Sequence, residues 1–172
     1  LVMTSANTIT NSTGTSSLSV GGTASIAGTI TTSGNQTYTG AVTLLGDANL
    51  ISNNGSGNGT ITFSSTVNSN TGTNYILSTT TGAGSTTFSG AVGGTRALAA
   101  LNTSGNTSLA GNVTTTGAQN YGGDLTLTGS DISLNTTNSA VSVAGNVSTN
   151  PGTTVSYLTG GTTWTMQQNG SN

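Results

Sequence analysis

Ionisable side chains are almost absent from this sequence. Its 172 residues hold one basic residue, Arg96, and three acidic ones, Asp47, Asp124 and Asp131, and they include no Lys, Glu, His or Cys. Charged residues make up 2% of the chain, whereas ordinary soluble proteins have about 25%. This scarcity of charge limits the chemistry that the chain can perform.

The missing residue types exclude most kinds of catalytic and binding site. General acid–base catalysis uses His, Glu, Asp or Lys, and a Ser or Thr nucleophile needs a neighbouring base. Zinc sites are built from His and Cys, and nucleic-acid binding needs several Lys or Arg side chains to neutralise phosphates. A polysaccharide-degrading enzyme needs clustered carboxylates, and the three Asp residues are scattered. We therefore expect a protein that is not an enzyme, with no cofactor and no nucleic-acid partner.

Three further absences bear on where the protein works. The lack of Cys excludes a disulfide scaffold without excluding secretion. No apolar run reaches 18 residues, so no transmembrane segment is expected. There is also no basic segment followed by an apolar stretch, as a signal peptide would have, and the sequence opens at Leu1. We interpret the chain as a mature or excised segment whose export signal lies elsewhere.

What the sequence does contain is short runs of alternating apolar and polar residues. Examples are Leu18-Ser19-Val20, Ile61-Thr62-Phe63 and Val141-Ser142-Val143, separated by stretches rich in Gly, Asn and Ser. Alternation with a period of two, bounded by turn residues, is typical of short strands with one buried face. The abundance of Thr, Val and Ile and the low net charge argue against disorder. The sequence therefore predicts an all-β protein.

Two stretches of the chain repeat each other. Residues 23–46 align without a gap with residues 106–129, at an offset of 83, so that Tyr38 corresponds to Tyr121. Apolar positions and glycines keep their places while polar positions vary. Downstream, residues 61–69 match residues 141–149 after a small deletion.

This pattern predicts a single β-solenoid over residues 1–172, built from two repeats of about 83 residues at about 12–94 and 95–172. Strand groups recur about every 20 residues, a length typical of one solenoid coil with Gly and Asn at its turns. Roughly eight coils stacked about 4.8 Å apart would form a rod about 40 Å long. Because stacked strands place like residues on one another, a nearly uncharged surface avoids repulsion between coils.

Several segments resemble the repeats of large bacterial β-strand-repeat surface proteins, the filamentous-haemagglutinin-like and autotransporter-passenger adhesins. They are FSGAVGGTRALAALNTSGN (88–106), TTTGAQNYGGDLTLTG (114–129), GNQTYTGAVTLLGDANL (34–50) and the C-terminal GTTWTMQQNGSN (161–172). The resemblance covers roughly residues 20–172. It implies a right-handed parallel β-helix, export to the bacterial cell surface, and a role in adhesion, biofilm or surface filaments. It transfers no catalytic residue, and members of this group are usually far longer.

Two sets of side chains are candidate binding sites. Asp124 and Asp131 are weak candidates for calcium, which prefers several close carboxylates, and turn positions are the alternative. Tyr38, Tyr121 and Trp164 are candidates for an aromatic strip that stacks on a glycan. Tyrosines at equivalent positions of a repeat also suit a stack in the core or at an edge.

The N-terminal segment is a candidate for contact between subunits. Residues 1–15 are polar and extended but contain Val2, Met3 and Ile9, and no polar cap is evident at either end of the chain. Such a strand can complete a neighbour's sheet, and head-to-tail contacts produce filaments. We therefore expect an extracellular structural subunit whose partners are copies of itself and extracellular polysaccharide. The alternative is a stalk fragment of a large secreted adhesin that binds host or glycan surfaces.

Overall fold

The structure is a computed structural model that describes residues 1–4, 8–11, 16–52, 58–150 and 154–159. All the regular secondary structure in these residues is β-strand. In chain order the strands are β1 Thr8–Asn11, β2 Leu18–Val20, β3 Ala24–Thr32, β4 Gln36–Tyr38, β5 Val42–Ile51, β6 Ile61–Phe63, β7 Val67–Ser69, β8 Ile76–Thr80, β9 Ser85–Phe88, β10 Ala100–Thr103, β11 Asn106–Leu109, β12 Val113–Thr114, β13 Gln119–Tyr121, β14 Leu125–Leu127, β15 Asp131–Thr136, β16 Val141–Val143, β17 Val147–Thr149 and β18 Thr154–Thr159.

Every pairing between these strands is parallel, and the strands stack into three faces of a β-solenoid, which confirms the predicted all-β solenoid. Face 1 consists of β2, β4, β6, β9, β11, β14 and β17. Face 2 consists of residues 1–4, residues 24–26 of β3, residues 42–44 of β5, β7, Val92, β12, β15 and β18. Face 3 consists of β1, residues 28–32 of β3, residues 48–51 of β5, β8, β10, β13 and β16.

The number of residues in a coil varies along the solenoid. On face 1, Leu18 pairs with Gln36, 18 residues further on, whereas Gln36 pairs with Ile61, 25 residues further on. Faces 1 and 3 each stack seven strands and face 2 stacks eight levels, which is about 6 turns from the first stacked strand to the last and close to the roughly eight coils expected. Longer connections between strands lengthen some coils without adding a strand.

The alternating sequence explains why each strand buries one side. In β6 the side chains of Ile61 and Phe63 are buried, while Thr62 points outwards. The inward residues of successive coils form columns in register, and this burial of apolar surface is the main force that holds the coils together. The column on face 2 is Ala24, Val42, Val67, Val92, Val113 and Leu134.

The internal repeat does not coincide with whole coils. Tyr38, in β4, lies on face 1, and its repeat equivalent Tyr121, in β13, lies on face 3. Between these two tyrosines the chain advances by eleven strand positions, counting each half of β5 and the bridging residue Val92 as one. Three strand positions complete a coil, so one repeat is three coils and two thirds. The same sequence pattern therefore builds strands on different faces.

A column of glycines forms the corner between face 3 and face 1. Each lies two residues before a paired residue of face 1, and the column consists of Gly34, Gly59, Gly84, Gly105, Gly123 and Gly145. A Cβ at Gly84 would overlap the carbonyl oxygen of Gly59. Glycine is required here because backbones of successive coils approach too closely for a side chain.

Candidate functional site

The outer surface of face 1 carries an unbroken row of hydroxyl side chains. The seven residues pair in register from coil to coil, and they are Ser19, Thr37, Thr62, Thr87, Ser108, Thr126 and Ser148. Neighbours in the row are one strand spacing apart, about 4.8 Å. If this position carried a charge in each coil, like charges would lie one strand spacing apart and repel each other. Hydroxyl groups can instead donate and accept hydrogen bonds along the row.

Face 3 carries a second polar row, in which amide groups are linked to one another. Asn120 Nδ2 donates to Asn102 Oδ1 at 2.8 Å, and Asn102 Nδ2 donates to Ser78 Oγ at 3.4 Å. These residues pair in register with Ser142 on one side and Asn49 on the other. The outer surfaces of faces 1 and 3 are therefore neutral, and their polar groups repeat with the coils.

Carboxylates occupy positions in ladders of turn residues and do not gather into a site. Asn106 Oδ1 accepts a hydrogen bond from the backbone N–H of Asp124 at 3.0 Å, and Asp124 Oδ1 accepts one from Asn146 N–H at 2.8 Å. Asp124 Oδ1 thus accepts a backbone N–H from the following coil at this corner, as Asn106 Oδ1 does in the preceding coil. Asp131 is exposed at the start of β15. No group of three or more possible metal-ligating side chains occurs among the described residues.

The predicted glycan-stacking tyrosines lie in the core. Tyr38 and Tyr121 are 0% and 1% exposed, so an aromatic strip that includes them on the surface was wrong, and the alternative of a core position holds. Their phenol rings are large apolar bodies that fill the interior, and each hydroxyl finds a partner there. Trp164 lies outside the described residues.

Each of the two tyrosines belongs to its own hydrogen-bonded unit, and the two units are built alike. Tyr38 Oη donates to Gln36 Oε1 at 3.1 Å, and Tyr121 Oη donates to Gln119 Oε1 at 3.0 Å. The amide of each glutamine donates in turn to a backbone carbonyl of the following coil, that of Ile51 or of Asn135, at 2.9 Å in both cases. Burial raises the pKa of both tyrosine hydroxyls above the ordinary value of 10.0.

An aromatic stack that the sequence analysis did not identify adjoins Tyr38. Its ring stacks on Phe63 with centroids 5.2 Å apart, and Phe63 stacks on Phe88 with centroids 4.9 Å apart. The register pairs Tyr38 with Phe63 and Phe63 with Phe88. The sequence feature that could have revealed this stack is the 25-residue spacing of the two Phe residues in matching strands, Ile61-Thr62-Phe63 and Thr86-Thr87-Phe88.

The N-terminal candidate strand forms the first coil of the solenoid. Val2 bridges to Ser25, and β1 pairs with β3 so that Ile9 is in register with Ile30. Met3 is 4% exposed, but Val2 is 69% and Ile9 36% exposed. Ile9 belongs to the same inward row as the buried Ile30, and it is exposed because no described residues cover it on the side away from β3.

Strand edges are also open at the opposite end. The last strands of the three faces are β16, β17 and β18, and each pairs with the preceding coil only, among the residues that the structure describes. Thr149 of β17 is in register with the core residue Leu127 and yet is exposed. Both ends of the described solenoid thus present strand edges that pair on one side only among the described residues, with Ile9 exposed at one end and Thr149 at the other.

The chain was compared with protein families, curated proteins and solved structures. No protein-family model, curated protein or solved structure matches the chain. In the described part of the chain, no helix is long and apolar enough to cross a membrane. The candidate functional regions are therefore those that the geometry itself defines, the neutral rows along the rod and the open strand edges at its two ends.

Proposed function

We propose that this chain is a non-catalytic extracellular structural protein of a bacterial cell surface, a subunit that assembles end to end into a filament, sheath or matrix fibre. The observation that carries the proposal is that both ends of the described solenoid present open strand edges. An open, apolar strand edge is a template for pairing with another chain, and natural proteins usually cover or charge it. Neither end has a charged residue in its last paired strands.

The exposed apolar residues support the same proposal. The large hydrophobic side chains that are exposed in the described residues are Leu1, Val2 and Ile9, and all three lie in the first coil. Single exposed apolar residues are ordinary, but here all three lie in the one coil that ends in an open edge, and concentrated exposed apolar surface is typical of contact sites.

The composition of the long sides supports an extended assembly. With one Arg and three Asp in the whole chain, subunits stacked along one axis place almost no like charges beside each other. Repulsion between like charges in adjacent strands is destabilising, so a neutral surface favours a rod that continues across many subunits.

Electron microscopy of the purified chain at several concentrations tests the proposal. Filaments are expected above a threshold concentration, and dispersed particles at every concentration would contradict it. Met3 N–H donates to Ser25 O and Leu1 O accepts from Ser25 N–H, so the N–H of Val2, between them, faces the open edge. V2P removes that donor and is expected to abolish filaments, whereas V2T keeps the donor and retains them.

A second candidate function is a stalk segment of a longer secreted adhesin that binds host or glycan surfaces. The same open ends favour it, because further coils of one polypeptide would cover them as well as a second subunit does. The reading frame that encodes these residues separates the two. A frame that continues for many more coils of similar repeats favours the stalk, and a short frame with an export signal favours the subunit.

A further inference from the structure

The strands that stand at the two ends follow a fixed order around the rod. At the N-terminal end the chain passes from residues 1–4 on face 2 to β1 on face 3 and then to β2 on face 1. At the C-terminal end it passes from β16 on face 3 to β17 on face 1 and then to β18 on face 2. Because the chain climbs by one strand spacing per coil, each successive strand lies about a third of a spacing higher.

Because of this climb, the three strands at each end of the rod lie at three different heights along its axis. If a second copy continued the rod without rotation, its residues 1–4 would pair with β18. Its β1 and β2 would then stand two spacings from β16 and β17, about 9.6 Å instead of about 4.8 Å. Two of the three open edges on each side would remain unpaired, and unpaired backbone groups shielded from water are costly.

We propose that the second copy is turned by one third of a turn about the rod axis relative to the first. Residues 1–4 of the second copy then pair with β16 of the first, β1 with β17, and β2 with β18, each at one strand spacing. This joint rests on the proposed end-to-end assembly and specifies which surfaces meet in it. All three open edges become paired, and the climb of the chain continues without interruption.

The internal repeat supports a joint that places a strand on a different face. Tyr38 and Tyr121 show that equivalent strands of the repeat already occupy face 1 and face 3 within one chain. Their local hydrogen bonds are alike, since each tyrosine donates to the glutamine two residues before it. The faces are therefore interchangeable for this sequence pattern, and a rotated subunit meets a surface of the kind that it meets inside its own chain.

The backbone hydrogen-bonding groups at the two ends are complementary. Inside the rod, inward residues donate N–H to the following coil, as Met3 does to Ser25 O. Outward residues donate to the preceding coil, as Ser25 does to Leu1 O. At the joint, Val2 of the second copy is an outward donor aimed at β16, and Val143 of the first copy is an inward donor aimed at residues 1–4.

The side chains also fit the rotated joint. In the parallel register that the coils use, the inward Leu1 and Met3 of the second copy lie over Val141 and Val143 of the first. The outward Val2 lies over Ser142. Leu1 is 37% exposed in the single chain, whereas Met3, Val141 and Val143 are already buried, so the favourable burial of apolar surface in this contact comes from Leu1.

Disulfide cross-linking tests the rotation, because the chain contains no Cys of its own. In the rotated joint the Cα atoms of residues 2 and 142 of neighbouring copies are about 4.8 Å apart, within the range of about 4.4–6.8 Å that a disulfide spans. The double variant V2C/S142C is expected to yield a ladder of covalent multimers on mild oxidation. V2C/L158C reports a joint without rotation, because the face 2 register that contains Val2 and Ser25 continues through Asn135 to residue 158, and V2C/S148C reports the third possible orientation.

The outcomes separate the joint from the proposed function. A ladder from V2C/S142C, with monomers and no ladder from the other two pairs, supports the rotated joint. A ladder from V2C/L158C or V2C/S148C in its place overturns the rotation and leaves end-to-end assembly standing. Filaments in electron micrographs with no ladder from any pair also overturn the joint. Absence of both filaments and ladders overturns the proposed function itself. Circular dichroism of each variant, before oxidation, checks that the β-structure is retained.

Discussion

Tyr38 and Tyr121 occupy the same place in the internal repeat and make the same hydrogen bond to a buried glutamine, but Tyr38 lies on face 1 of the solenoid and Tyr121 on face 3. The local unit, a strand followed by a corner and a second strand, is thus independent of the face on which it stands. The solenoid accepts it on more than one face because each face contributes the same thing to the core, a column of inward side chains one strand spacing apart.

Replacement of the buried glutamine is expected to cost more stability than replacement of its tyrosine. Gln119→Leu leaves the Tyr121 hydroxyl unpaired in the core and removes the amide hydrogen bonds to the carbonyls of Val113 and Asn135, although the Asn135 carbonyl still accepts the Thr115 N–H. We expect a loss of about 3 kcal/mol, against about 1–2 kcal/mol for Tyr121→Phe, because Gln119→Leu removes these three hydrogen bonds of the unit whereas Tyr121→Phe removes one and leaves only Gln119 Oε1 unpaired. Urea unfolding at neutral pH measures both.

The neighbouring outward residue provides the control for this comparison. Asn120→Ala removes a hydrogen bond to Asn102 on the exposed surface, and surface changes usually alter stability by less than about 0.5 kcal/mol. Equal losses for the Leu, Phe and Ala variants would show that the glutamine–tyrosine unit has no special part in the core.

Stability is expected to depend on pH mainly at high pH. The chain has one Arg, three Asp and no His, so little should change between about pH 5 and 9. The pKa of Tyr38 and Tyr121 is raised in the folded state by burial. Above about pH 10 the unfolded chain therefore loses protons that the folded chain retains, and stability falls by up to about 1.4 kcal/mol per pH unit for each tyrosine.

Urea midpoints recorded from pH 5 to pH 11.5 test this dependence. The folded-state contribution of the two tyrosines is fully present below the unfolded pKa and is lost as pH rises from there through the folded pKa. The double variant Tyr38→Phe/Tyr121→Phe is expected to be less stable at neutral pH, and its stability should fall much less as the pH rises above about 10. A decline of the same slope in that variant would assign it to other groups.

The strands and their stacking could be predicted because they depend on local alternation. Runs such as Ile61-Thr62-Phe63 bury two side chains and expose one whatever face they occupy, so the sequence pattern was sufficient to predict a β-solenoid. The number of residues in each coil could not be predicted in the same way. It depends on how many residues each corner consumes, and these range from the short connection between β2 and β3 to the long one between β5 and β6.

The placement of aromatic residues was predicted less well, and the reason is chemical. A tyrosine in a repeat can stack on a ligand or fill a core, because its ring is apolar and its hydroxyl is polar. The pattern Gln-x-Tyr at 36–38 and 119–121 held the missing information. A glutamine on the same side of the strand as the tyrosine supplies a partner for the hydroxyl inside the protein, which favours burial of both.

Substitution in the glycine column should destabilise the fold, although an alanine is small. A Cβ at residue 84 would overlap the carbonyl oxygen of Gly59 in the preceding coil. We expect Gly84→Ala to cost about 1–3 kcal/mol, the range for overpacking in a tight interior. Gly21→Ala is the matched control because its Cβ would have no neighbour within 4 Å, and it should leave the urea midpoint almost unchanged. Equal effects of the two changes would rule out close approach as the reason for glycine at residue 84.

The hydroxyl row of face 1 allows a direct test of why the chain carries so little charge. Thr62 and Thr87 are adjacent in the row, about 4.8 Å apart. Like charges at adjacent positions should repel, so Thr62→Asp/Thr87→Asp is expected to be less stable than the sum of its single variants by about 0.2–1 kcal/mol. Thr62→Lys/Thr87→Asp should show a coupling of opposite sign, and both couplings should shrink in high salt.

A distant position in the same row gives the control for that coupling. Ser148 lies four strand spacings from Thr62, about 19 Å, which is beyond the screening length of about 8–10 Å in ordinary buffers. Thr62→Asp/Ser148→Asp should therefore be additive. Repulsion that is confined to neighbouring coils would explain a surface of hydroxyls and amides. Like charges in such a row would repel each other from coil to coil and, in an assembled rod, from subunit to subunit. Additivity of the adjacent pair as well would remove repulsion between coils as the reason for the neutral surface.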